Sequence, residues 1–172
     1  MKKFLAALVV LFWTPFAAAA PANVDPLGLE LGVATLAQVQ GALKGNRLTE
    51  IGTSAIAGGR LLQADNPSVG PEGLRAALFI FDREDRLVGV QMTLPKDSGG
   101  KNLAAIANQL SRKYTQKSRH LPLVGDASAR YTRGNSVVII EAPHLSFEFT
   151  VTYMTDDFQR NMTAHQHARE QQ

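Results

Sequence analysis

The chain has 172 residues, no cysteine, and 18 lysine and arginine residues against 15 acidic ones. Lys2 and Lys3 lie in an N-terminal segment without acids, so the remainder carries 16 basic against 15 acidic residues, a formal charge of +1 that offers nucleic acid no basic field. The missing cysteine excludes disulfides, thiolate metal sites and the lipid-modified cysteine of a bacterial lipoprotein.

The first elements are those of a secretory signal. Lys2 and Lys3 form a positive n-region, Phe4 to Phe16 an apolar stretch interrupted by Thr14 and Pro15, and Ala17 to Ala22 supply small residues for a signal peptidase. The apolar run is shorter than the roughly 20 residues a spanning helix needs, so no transmembrane anchor is expected. Cleavage after Ala22, following the small-x-small run Ala20-Pro21-Ala22, makes Asn23 the mature start and the protein periplasmic or secreted. About 150 residues remain, the size of one ordinary domain. The boundaries read as signal peptide 1–22, one α+β domain 23–160 and a polar, fraying tail 161–172.

Leu29 to Val33 alternates like a short strand. Thr35-Leu36-Ala37-Gln38 then matches a capping box, with Leu36, Val39 and Leu43 on one helical face and Gly45 as the stop. Strands are expected at Leu48 to Thr53 and Arg60 to Gln63, and Asp65 to Gly73 reads as an exposed loop rich in turn formers. Ala76 to Phe81 and Arg86 to Leu94 flank the polar turn Asp82 to Asp85, the pattern of a hairpin. A second amphipathic helix opens after Gly99-Gly100 with Asn102 as cap and Leu103, Ile106, Leu110 and Tyr114 as its stripe. Strands follow at Ala127 to Thr132 and Val137 to Ile140. Leu145, Phe147, Phe149, Val151 and Tyr153 alternate with polar residues as a strand with one wet face. Thr155, Asp156 and Asp157 supply the cap and first-turn acids of a third helix. The fold class is α+β: a mainly antiparallel sheet, two amphipathic helices on one face and a C-terminal helix.

The segments from Thr35 and Asn102 share cap type and apolar spacing. At the same offset Gly58 falls on Gly125, Leu78 on Leu145 and Ile80 on Phe147, as in a duplication with halves 27–95 and 96–155. Any two capped amphipathic helices show the same spacing, so both readings stand.

No motif carries a complete chemistry. Asp97-Ser98-Gly99-Gly100 has the glycines of a serine-protease nucleophile segment but no base placed beside it, and reads as a turn opening a helix. Gly52 to Arg60 lacks the spacing and the Lys-Ser/Thr ending of a phosphate loop. Of Met162, His165 and His167, only the first two share a helical face, too few for a metal site. No catalytic group, cofactor or metal is expected; an unrecognised hydrolase is the third reading, since catalytic residues need not be neighbours in sequence. Arg112, Lys113, Lys117 and Arg119 could meet an anionic partner, or could serve as the cations a helix C-terminus favours. With Asn66, Val69 and Glu72 of the preceding loop they form the expected interaction surface.

Element order and the run Gly32-x-x-Thr35-Leu36-x-x-Val39 make the chain resemble the small α+β modules of the β-lactamase inhibitor protein and of outer-membrane assembly lipoproteins of the small-protein-A type. It is also similar to uncharacterised periplasmic proteins of proteobacteria. It lacks the lipidated cysteine of the lipoproteins and the disulfides of the inhibitor. The leading function is an exported, non-catalytic module that binds a protein of the cell envelope through the exposed sheet face or the Asp65 to Gly73 loop. The alternative is a carrier of a lipid or other apolar ligand in a cavity lined by residues such as Phe79, Phe81, Phe147 and Phe149.

Overall fold

Period-two alternation dominates the chain from residue 48 onward and builds a single sheet. The structure, a computed structural model, describes residues 22–122 and 124–171. The signal read at 1–22 lies outside the described residues, apart from an exposed Ala22.

A 3-10 turn at Pro26–Gly28 leads to α1 (Leu36–Ala42), then β1 (Leu48–Thr53), β2 (Gly58–Asp65), β3 (Ala76–Asp82) and β4 (Leu87–Pro95). There follow α2 (Lys101–Lys113), β5 (Thr115–His120), β6 (Ala127–Thr132), β7 (Ser136–Ala142), β8 (Glu148–Thr155) and α3 (Asp156–Glu170). The eight strands form one antiparallel sheet in the order β1-β2-β3-β4-β8-β7-β6-β5. A helix followed by a four-stranded meander therefore occurs twice, and the last strand of each set meets the other at the centre.

Register decides which residues the core receives. Leu62, Phe79, Val90, Tyr153, Val138 and Tyr131 stand opposite one another, strand by strand. They lie in one buried cluster with Val39 and Leu43 after the start of α1 and Leu103, Ala107 and Leu110 of α2. Burying each large side chain contributes roughly 1.5–3 kcal/mol, and this row spans six of the eight strands. The Tyr131 hydroxyl donates to the Ala107 carbonyl at 3.0 Å, so the one polar atom this ring buries against α2 has a partner.

The opposite face carries Gln63, Leu78, Gln91, Thr152, Ile139 and Arg130 in the matching row, half-buried and largely polar. Phe158 and Met162 of α3 join Val137, Met154, Ile80 and Val88 in a separate cluster, so this helix covers one end of that face.

Local signals held where they depended on neighbours in sequence. Thr35 and Gln38 form the capping box, with Thr35 N–H to Gln38 Oε1 at 2.8 Å and Gln38 N–H to Thr35 Oγ1 at 3.4 Å. In the β3–β4 turn the Asp82 carboxylate accepts from the amides of Glu84 and Arg86, at 3.0 and 2.8 Å. Thr155 caps α3 by accepting from Phe158 N–H at 3.3 Å.

Several expectations are corrected. Leu29 to Val33 is no strand: Gly28 and Gly32 take φ of +77° and +78°, and the chain turns so that Leu29 and Leu31 both enter the core. Asn102 is not the cap of α2, which is Gly100 at φ +61°. Instead Asn102 donates to the Pro95 carbonyl and accepts from Leu103 N–H at 2.8 Å, tying the helix start to β4. β8 begins only at Glu148, leaving Leu145 and Phe147 in the turn before it. β5 is a strand with no signal in the sequence, because all six of its residues are exposed and no alternation marks them. The segment read as a polar tail is helical as far as Glu170 and mostly exposed. The constant offset also fails beyond β2: Leu78 and Ile80 lie in β3, whereas Leu145 and Phe147 precede β8. Residues 66–75 join β2 to β3, but only 133–135 join β6 to β7, which shifts the later elements.

Candidate functional site

Three loops converge at one end of the sheet: the β4–α2 loop, the β5–β6 loop and the β7–β8 loop. Lys96, just past β4, holds the third of these. Its amide donates to the Phe147 carbonyl at 2.7 Å, and its ammonium donates to the carbonyls of Pro143 at 2.7 Å and His144 at 3.2 Å. The β5–β6 loop is tied in by Gly125 N–H to His144 Nδ1 at 3.0 Å and by His144 N–H to Asp126 Oδ1 at 2.8 Å.

The loops enclose an open groove of about 590 Å³ lined by Ser98, Leu103, Leu121, His144, Leu145 and Phe147, among others. Leu145 is 89% and Phe147 85% exposed, and Val124 beside Gly125 is 74% exposed. Large apolar side chains held outward on a hydrogen-bonded turn keep no core contact in return, and clusters of this kind mark interaction sites. A second groove of about 660 Å³ adjoins the first across Ala127 and Ser146. Its lining, including Gln91, Thr93, Ser128, Glu141 and Thr150, is the polar face of the sheet.

Ser98 and His144 both line the first groove, yet they do not form a nucleophile and base. Because Nδ1 accepts the Gly125 amide proton, the neutral ring carries its own proton on Nε2 and has no lone pair left to take one from a hydroxyl. Asp126 of the β5–β6 loop receives the His144 backbone amide rather than its imidazole. Among the described residues no group of three or more His, Asp or Glu side chains is placed to hold a metal ion. Met162 packs against the α3 cluster, and His167 lies 3.5 Å from Glu170. No helix of the described residues is long and apolar enough to cross a membrane.

The interaction surface expected from sequence is dispersed. Val69 packs against the core, whereas Asn66 (φ +45°) and Glu72 remain exposed. Gly70 and Pro71 meet Gln109 and Lys113 around a pocket of about 300 Å³ that also contains Asp25. There the Asp25 carboxylate lies 2.8 Å from Lys113 Nζ and 3.5 Å from an Arg133 nitrogen, and accepts the Tyr114 hydroxyl at 2.9 Å. Partial burial by itself would raise the Asp25 pKa. The hydrogen bonds from Lys113 and Tyr114 and the charges of Lys113 and Arg133 outweigh it and hold the carboxyl below its ordinary value. Arg112 lies exposed in the last turn of α2, and Lys117 and Arg119 lie on the edge strand β5, Lys117 at a bulge. The structure thus brings Lys113 to the 66–75 loop and leaves Lys117 and Arg119 apart from it. Alternation in sequence puts Leu145 and Phe147 in the last strand, and Phe147 in an enclosed cavity, because they continue the pattern of β8; the structure places both in the turn before it. The available signal was Pro143 and Ser146, turn formers set among them.

Comparison with protein-family models, with curated proteins and with solved structures returns no match to this chain.

Proposed function

We propose that this chain is an exported, non-catalytic interaction module that docks an apolar segment of a cell-envelope protein in the groove bounded by Leu121, Leu145 and Phe147. The outward presentation of Leu145 and Phe147 on a turn clamped by Lys96 carries this reading. Export rests on the N-terminal signal pattern with cleavage near Ala22. The neighbouring polar face, rich in Thr and Gln, supplies hydrogen-bonding area around an apolar centre, the usual anatomy of a protein interface. A lipid carrier is the less supported alternative: Phe79, Phe81 and Phe149 are at most 1% exposed and belong to the packed core, and Phe147 alone of that quartet reaches the groove.

The resemblance to the small α+β modules of the inhibitor and of the assembly lipoproteins goes with the duplication. Their support is the twofold succession of helix and four strands, with a register shift in each edge strand, at Glu50/Gly52 in β1 and Gln116/Ser118 in β5.

The test is site-specific photocrosslinking in the exporting cell, with a benzophenone side chain at position 147 or, as control, at Ile51 on the far edge strand. A protein adduct from position 147 but not 51, lost on adding Leu145→Ser, is the expected result. Adducts to lipid, or equal adducts from both positions, would overturn the proposal.

A further inference from the structure

We infer that Glu30 is the counter-ion of the α-ammonium created at Asn23 when the leader is removed, so that processing completes the fold. The inference rests on the export reading above.

Asn23 is held by three hydrogen bonds. Its backbone nitrogen donates to Glu30 Oε1 at 2.9 Å, its side-chain amide donates to the Leu31 carbonyl at 2.9 Å, and its side-chain oxygen accepts from Asn135 N–H at 2.8 Å. Val24 follows, fully buried, with its amide on the hydroxyl of Ser136 at 2.8 Å. Ala22, one residue earlier, is exposed. Three interactions thus seat the residue at which sequence places the mature start, and none depends on residue 22.

Among the described ion pairs Glu30 has no cation; its only side-chain contact of this kind is the Asn23 N–H. With the Ala22–Asn23 amide intact that is one hydrogen bond between a carboxylate and a neutral amide. Hydrolysis adds one water across the bond: the carbonyl carbon of Ala22 gains the hydroxyl oxygen and becomes a carboxylate, and the nitrogen of Asn23 is protonated to an ammonium. The same two atoms then form a charge-assisted pair. The surrounding groove, lined by Asp82, Asp156 and Asp157 with Arg86 and Arg160, holds three carboxylates against two guanidinium groups, and Arg160 already pairs with Asp157. On the other side of Val24, Asp25 is occupied by Lys113 and Arg133.

The sign of the pH effect follows. A free α-ammonium has a pKa of about 8, and pairing with Glu30 raises it in the folded state. The stabilisation is complete below pH 8 and disappears as pH rises through the higher, folded value.

The test uses the full-length chain, exported and purified from the periplasm, in three forms: wild type, Glu30→Gln, and wild type with its α-amine removed by transamination with pyridoxal phosphate. Intact mass is expected to give Asn23 as the first residue. Thermal midpoints are expected to show wild type about 2–4 °C above Glu30→Gln at pH 6, a gap that closes by pH 10, with the transaminated protein matching Glu30→Gln throughout. A gap independent of pH would show Glu30 accepting a neutral N–H only and overturn the inference while leaving export intact. A first residue at Ala20 or Pro21 would overturn it in the same way, and one at Met1 would remove both this inference and the export reading.

Discussion

The hydroxyl of Tyr114, at the end of α2, donates to the carboxylate of Asp25 at 2.9 Å across 89 residues of sequence, and Lys113 closes on the same oxygen at 2.8 Å. This clasp fastens the segment before α1 to the second helix. Partial burial and the Asp25 carboxylate also raise the pKa of Tyr114, and Lys113 is raised because its contacts with Asp25 and Tyr114 outweigh its own desolvation.

Asp25→Asn is expected to cost about 1–2 kcal/mol at pH 7 by removing charge-assisted bonds at a partly exposed site. Since the folded pKa of Asp25 lies below its unfolded value of about 4, the wild type's advantage is complete above pH 4 and fades as pH falls through the folded value. Lys113 is raised, so its contribution persists up to its unfolded pKa, about 10.4, and is lost only above it. Urea unfolding of both proteins between pH 2 and 7 checks this; a gap that stays constant down to pH 2 would refute it.

Phe147 and Phe149 are two residues apart and are expected to behave oppositely. Phe149→Ala should cost about 3–5 kcal/mol, because the ring is 1% exposed in the main cluster. Phe147→Ala should change stability by less than about 0.5 kcal/mol. Denaturation midpoints distinguish them.

Gly59→Ala is expected to prevent normal pairing of β2 with β3. A methyl group there would lie 1.9 Å from the Asp82 carbonyl oxygen and 2.4 Å from that of Phe81, both backbone atoms that cannot rotate away. A loss of about 3 kcal/mol or more in thermal or chemical unfolding is predicted, in the range of severe core overpacking.

Lys96→Met removes the two ammonium bonds that hold the β7–β8 turn, at a stability cost of about 1 kcal/mol. Crosslinking from position 147 should fall at least as far as it does on removing Leu145, since the apolar rim loses its fixed orientation. Undiminished crosslinking would show that Lys96 does not position the groove.

Much of this architecture is local and therefore legible. The Thr35–Gln38 box, the Asp82–Asp85 turn, β6 from Ala127 to Thr132 and the Thr155 cap each follow from residues within a few positions of one another. Pattern and packing part company at β5 and at the β7–β8 turn. β5 has no buried residue, so an edge strand built of Thr, Gln, Lys, Ser, Arg and His carries no periodic signal. Leu145 and Phe147 alternate in phase with Phe149, yet only a strand paired on β4 has a core to point into, and pairing begins at Glu148.

From sequence alone come the absence of disulfides, the near-neutral balance beyond the N-terminal segment, the α+β class and most element starts, because each depends on composition or on neighbours along the chain. Tertiary structure decided that β4 and β8 meet at the centre, that the Asp65 to Gly73 loop seats Val69 on the core, and that two large apolar side chains of the β7–β8 turn face solvent. Those outcomes depend on which strands pair and where pairing stops, a matter of long-range register that period-two alternation leaves undetermined.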